Sequence, residues 1–254
     1  MSILKRRHNT SSYHKLEGAS DSGKLFLSFH AASFKSFITC LYFLSLSFIV
    51  IAQQSEADFK KTLHDRSVKI VNTLQITDSG KYNKVVELLT NQYFDLNKIH
   101  DKTKESIVAI RSQQLTDEEK NNSIKEEEEA KKDQLSKLHK GFIAKLQKDL
   151  TEDQIEKIKD GMTYRVMSVT YTAYQEMLLT LTTEQKEKIC NWLKEARELA
   201  MDEGSSEDKH KVFGKFKGRI NNYLSAEGYD MKKEEKAWQQ RIKEREAANN
   251  NNAG

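Results

Sequence analysis

Proline is absent from this 254-residue chain, glycine occurs ten times and cysteine twice. Average usage near 5% would supply about 13 prolines. Proline and glycine punctuate tight turns, edge strands and bulges, so their scarcity argues against sandwiches, barrels and Pro-rich linkers. Helices joined by short polar connections remain, and the fold class expected is all-α: an irregular antiparallel bundle of six or seven helices. Long apolar runs are scarce too. The one strongly apolar block is residues 37–52, FITCLYFLSLSFIVIA.

At about 1.5 Å per helical residue that block reaches roughly 24 Å, short of a hydrocarbon core about 30 Å thick. Lys5, Arg6, Arg7, Lys15, Lys24 and Lys35 precede it, and Val50-Ile51-Ala52 offers a cleavage site. The pattern predicts a secretory leader over 1–52 and a mature chain beginning at Gln53, periplasmic or secreted. Any membrane contact would then come only through an uncleaved leader. Cys40 lacks the small neighbours of a lipoprotein box.

The net charge of +4 comes from 42 Lys+Arg against 38 Asp+Glu. Residues 1–52 hold six of the former and two of the latter, leaving 36 of each in the remainder. A neutral domain does not suit phosphate-backbone neutralisation, so no nucleic-acid partner is expected, and an uncharged ligand is favoured. Cys190 is the one cysteine after the leader, which excludes an internal disulfide. The domain over 53–248 must therefore rest on its apolar core.

Apolar residues recur at helical spacing from 54 to 74, and again from Tyr82 to Ile110 after the breaker Thr77-Asp78-Ser79-Gly80. Residues 117–134 carry one apolar side chain, Ile124, and read as a solvated helix with Glu and Lys pairs or as a spacer. Further helices are expected over about 152–178, 184–203 and 207–225, with a last one after Gly228 and a disordered Asn-rich tail at 249–254. Three units, Leu115-Thr116-Asp117-Glu118-Glu119, Leu150-Thr151-Glu152-Asp153-Gln154 and Leu181-Thr182-Thr183-Glu184-Gln185, have capping-box spacing, with Leu placed as a staple.

Motifs of known chemistry are missing. His64, His100, His139 and His210 are far apart, with no metal-ligand spacing, and there is no GxSxG, Walker A loop or dinucleotide turn. Neither metal nor cofactor is expected, and Cys190 reads as a half-buried core thiol. The densest polar pattern lies in 159–230. There His210, Gly214, Lys217 and Asn221 share a helix face, flanked by Arg219, Asn222 and Tyr223. Gly214 and Gly218 suggest a crossing helix. Tyr164, Tyr171, Arg197 and Asp202 complete a candidate centre in which tyrosines cover a sugar ring and amides and cations bind its hydroxyls. The same residues could instead form an internal network, with Asp202 or Glu195 as partner of Arg197.

The strings KDGMTY (159–164), EARELAMDEGSSEDKH (195–210) and FGKFKGRINNYLSAEGYD (213–230) resemble an uncharacterised family of secreted helical proteins of polysaccharide-degrading Bacteroidetes, to which sugar binding is ascribed. RSVKIVNTL at 66–74 and the stretch Tyr93 to His100 extend the likeness. It implies a non-catalytic, glycan-binding accessory protein of unspecified oligomeric state. Leu179-Thr180 departs from it where a proline is expected. Leu150–Gln154 and Leu181–Gln185 are also similar to the LTxxQ repeats of periplasmic stress chaperones, which implies a holdase as the alternative. A glycan hydrolase or lyase using His210 or Asp202 is a further one.

Overall fold

The computed structural model describes residues 56–252; residues 1–55, where a leader over 1–52 with an apolar signal segment at 37–52 is expected, and residues 253–254 lie outside them. Eight α-helices and no strand are found among the described residues. Helix α1 spans 56–71 and closes in a 3₁₀ turn, Asn72–Leu74. Then come α2 (Ser79–Ser112), α3 (Asp117–Leu146), α4 (Glu152–Met162), α5 (Val166–Met177), α6 (Thr183–Met201), α7 (Ser206–Ala226) and α8 (Met231–Asn252). None of these is long and apolar enough to cross a membrane.

Local chemistry accounts for the helix starts. Thr116, Thr151 and Thr182 each cap a helix, accepting from the backbone N–H of Glu119, Gln154 and Gln185, whose side chains accept from the Thr N–H in return. Such a cap contributes about 1 kcal/mol. Leu150 and Leu181 are buried as the staple requires, whereas Leu115 is 37% exposed. Its unit opens α3, whose first half carries the charged run 117–134 as continuous, mostly exposed helix. The tail is helical further than expected, since α8 runs to Asn252.

Two apolar cores result. The first takes Val71 from α1, Leu89 from α2, Leu146 from α3 and Ile158 from α4; the second takes Ile189 and Leu193 from α6 and Phe213, Ile220 and Leu224 from α7. All of these are almost fully buried, and each contributes about 1.5–3 kcal/mol. Helix α6 joins the cores, because Met201 at its end packs into the first. Helix α8 contributes no fully buried residue over 231–248. It is tied on by Trp238, whose Nε1 donates to Glu176, and by Arg241, which donates to the carbonyls of Glu176 and Met177 at the end of α5.

Two further expectations fail for physical reasons. The single helix expected over 152–178 is broken between α4 and α5, because Tyr164 and Arg165 adopt left-handed backbone angles, φ 56° and 58°. The N–H of Arg165 donates to the carbonyl of Asp160 at 2.7 Å and that of Tyr164 to Gly161 at 3.4 Å, a Schellman closure with Tyr where Gly is usual. The Thr163 hydroxyl donates to the Lys159 carbonyl at 2.8 Å. The helix crossing expected at Gly214 and Gly218 is absent: both are exposed, and a Cβ at either would meet open space.

Candidate functional site

Where α4 meets α6, charged groups lock onto one another. Arg197, 3% exposed, donates from Nη1 to Asp160 at 2.7 Å and from Nη2 to Glu156. Lys159 donates to Glu198 at 2.9 Å. From α3, His139 places Nε2 3.3 Å from Glu198 and Nδ1 3.0 Å from Asp202. From α2, His100 Nε2 lies 2.7 Å from the Asp202 carbonyl. Hydrogen bonds to the Asp202 and Glu198 carboxylates hold the His139 imidazolium up to about 9, against the opposing effect of burial. Burial would raise Glu198, but His139 and Lys159 outweigh it and bring the carboxyl down to about 2. The internal-network alternative thus has a geometric basis, with Glu156 and Asp160 as partners of Arg197 rather than Asp202 or Glu195. Only the Arg197 Nε lacks a partner among the buried side-chain nitrogens and oxygens of the described residues.

One helical turn beyond that seam is a cavity of about 240 Å³ between α1, α2, the α4–α5 corner and the loop from α6 to α7. Arg66, Tyr93, Asn97, Tyr164, Glu203 and Lys209 supply its polar and aromatic lining. Two glycines bring its walls close. A Cβ on Gly204 would lie 2.9 Å from the His100 ring, and one on Gly161 would lie 2.8 Å from Ile70. The first pins the loop against α2, and the second presses α4 onto α1, three residues before Tyr164.

The lining is charged and only partly satisfied. Lys209 is 4% exposed and donates to the carbonyls of Ala200 at 2.8 Å and Met201 at 3.2 Å, capping the end of α6. An ammonium has three donors, and these two carbonyls take two of them. Burial draws this amine down to about 8, although Asp202 and Glu203 favour its charge. Arg66 lies over the Tyr93 ring at 5.5 Å, and burial raises the Tyr93 phenol well above its ordinary value. The Tyr164 ring stacks on His210 with centroids 6.0 Å apart and stays 44% exposed.

The ten residues singled out from the sequence do not converge. Tyr164 lines the cavity, and His210, on the surface, backs its ring. Arg197 and Asp202 belong to the seam. Lys217 and Asn221 face a separate hollow below α8, where Asn221 accepts from the Tyr174 hydroxyl at 2.7 Å. Arg219 and Tyr223 lie on the outer side of α6 and α7: Arg219 pairs with Glu195 at 3.4 Å and Tyr223 meets Trp192 edge-on at 5.4 Å. Tyr171 is half-buried against the second core, and Asn222 is exposed. Sequence reasoning missed Arg66, Tyr93, Asn97, Glu203 and Lys209. Four of the strings carrying the family likeness meet at this cavity, which is the signal that could have found them.

No group of His, Cys, Asp and Glu suited to a metal ion occurs among the described residues. No curated protein matches the sequence. A family model, that of a protein of unknown function (DUF3826), matches residues 60–244. That span takes in α2 to α7 whole, most of α1 and α8, and nearly all of the cavity lining, so the chain belongs to the DUF3826 family of proteins of unknown function.

Proposed function

We propose that the protein is an exported, non-catalytic binding protein whose cavity beside Tyr164 takes one unit of a glycan. The carrying observation is the pairing of a strained, surface-displayed aromatic ring with unspent polar donors. Two adjacent left-handed residues without glycine cost about 1–3 kcal/mol each and persist where the surroundings hold them, most often at binding sites. Here the strain projects Tyr164 beside a hollow of about 240 Å³, a volume suited to one ring rather than a fold's worth of peptide. An aromatic face covers the apolar side of a sugar, while Asn97, Arg66 and the third Lys209 donor suit its oxygens.

Binding is favoured over hydrolysis because Glu203 is the one carboxylate among the lining residues, and glycoside hydrolysis ordinarily uses two. A holdase would need a continuous apolar surface. The large apolar residues most exposed, Val108, Leu115, Val169, Leu179 and Leu199, sit on separate helices and loops. A glycan array followed by calorimetric titration of the best hit tests the proposal. Tyr164→Ala should weaken binding at least about tenfold. No glycan binding by the parent protein would overturn it.

A further inference from the structure

The cavity is one end of a longer groove. Asn97 and Gly204 wall both it and a neighbouring hollow of about 550 Å³ that follows α2 from Asn97 to Arg111 and is bounded opposite by α3 and the start of α7. At 1.5 Å per residue that stretch of α2 is about 21 Å long, room for several linked units rather than one.

Charges along this groove are unequal in their engagement. Of its carboxylates, Glu128 is neutralised by Lys131 at 2.5 Å, and Asp208 is partly neutralised by Lys211 at 3.0 Å, an ammonium it shares with Glu207 at 2.9 Å. Asp101 accepts from the Asn97 amide, which leaves its charge in place, and Glu203, which favours the charge of Lys209, has no cation at ion-pair distance among the described residues. Against these two stand four cations with no carboxylate at ion-pair distance among the described residues: Arg66 and Lys209 in the cavity, Lys104 and Arg111 along α2. The domain's zero net charge hides this excess, because a ligand responds to charges within a Debye length of about 8 Å. Guanidinium and ammonium groups with spare donors bind carboxylate or sulfate oxygens about twice as strongly as neutral ones.

Resting on the sugar-binding proposal, we infer that the ligand is an acidic oligosaccharide, a chain bearing carboxylate or sulfate groups, lying along α2 with one end in the cavity. Calorimetric titration of the full chain at low salt should use tetragalacturonate, its methyl ester and a sulfated tetrasaccharide. The free acid or the sulfated chain should bind at least about tenfold tighter than the ester. Lys104→Gln with Arg111→Gln, both at exposed positions, should remove that preference for tetramers while leaving digalacturonate binding unchanged. Equal binding of acid, sulfated chain and ester, or a preference surviving the double substitution, overturns this inference and leaves the sugar-binding proposal standing. If a glycan array shows no binding either, both fall. Preference for the sulfated chain over tetragalacturonate identifies sulfate as the group read, and the reverse identifies carboxylate.

Discussion

Arg197 and Arg66 carry the same side chain into two different polar regions of one bundle. Arg197 is buried at the contact of α4 and α6, with its fork closed on Glu156 and Asp160. Arg66 is exposed on α1, leaning on the Tyr93 ring beside the cavity with no carboxylate at ion-pair distance among the described residues. Both regions draw on the same end of α6: Glu198 and Asp202 turn to the seam, while Glu203 and, from α7, Lys209 line the cavity. The seam spends its charges on itself and the cavity leaves its own unspent. A closed network fixes two helices in register, whereas an open one costs stability and is kept where something else must bind.

The largest effect should come from breaking the seam. Arg197→Ala would leave Glu156 and Asp160 facing each other across a vacated site, and because both carboxylates keep some access to water the loss should fall below the roughly 3–5 kcal/mol of a fully buried pair, at about 2–3 kcal/mol. Urea unfolding monitored by far-UV circular dichroism should show that loss. Arg197→Lys should recover little of it, because one ammonium cannot serve two carboxylates in the fork geometry. A loss under about 1 kcal/mol would mean that the seam does not close the bundle.

Titration should separate the regions by sign. His139 is held near 9 in the folded protein against 6.5 ordinarily. Its contribution, about 3 kcal/mol, is therefore fully present below pH 6.5 and lost as pH rises toward 9. Lys209 behaves oppositely: its amine is drawn to about 8 from 10.5, so its burial costs most below pH 8 and the cost fades toward 10.5. Unfolding free energy should fall between pH 6.5 and 8, flatten, and recover above 9. His139→Gln should abolish the fall and keep the recovery.

A smaller effect is expected for Lys209→Met. Relief of a desolvated charge, about 3 kcal/mol at neutral pH, is outweighed by losing two charge-assisted hydrogen bonds, about 1.5–3 kcal/mol each, to the end of α6. The variant should be about 1–2 kcal/mol less stable in thermal melts at pH 7 and should bind glycan more weakly. A less stable variant with full binding would make Lys209 a mere helix cap.

These regions were unequally legible in the sequence. Helix starts could be read because Thr116, Thr151 and Thr182 advertise their caps through neighbours three residues away. The α7–α8 turn could be read because Gly228, at φ 95°, is the residue that conformation prefers. The α4–α5 corner has the same Schellman geometry but puts Tyr164 in the glycine position, so periodicity ran straight through it. The site followed the same rule. Tyr164 was visible as an aromatic among polar residues. Arg66 and Lys209 looked like any surface cation on a charged helix, and only packing distinguishes the one beside Tyr93 and the one under the α6 carbonyls. Gly214 and Gly218 misled for the converse reason, since a helical glycine signals close approach only when a neighbour is there to approach.

Arg66 supplies the smallest stability effect and the sharpest contrast. Arg66 is exposed and has no ion-pair partner among the described residues, so Arg66→Gln should change unfolding free energy by no more than about 0.5 kcal/mol, the range usual for surface substitutions. Its partial stacking on Tyr93 is retained in part by the planar amide of Gln, which removes packing loss as a confounding cause. Binding of a glycan at the cavity should nevertheless weaken about tenfold, through the loss of a fork of donors that no other lining residue duplicates. Arg197→Ala reverses the ratio, with stability lost and no lining contact removed. If Arg66→Gln instead lowers stability by several kcal/mol and leaves binding intact, then the cavity arginine is structural too, and the two regions differ in burial alone.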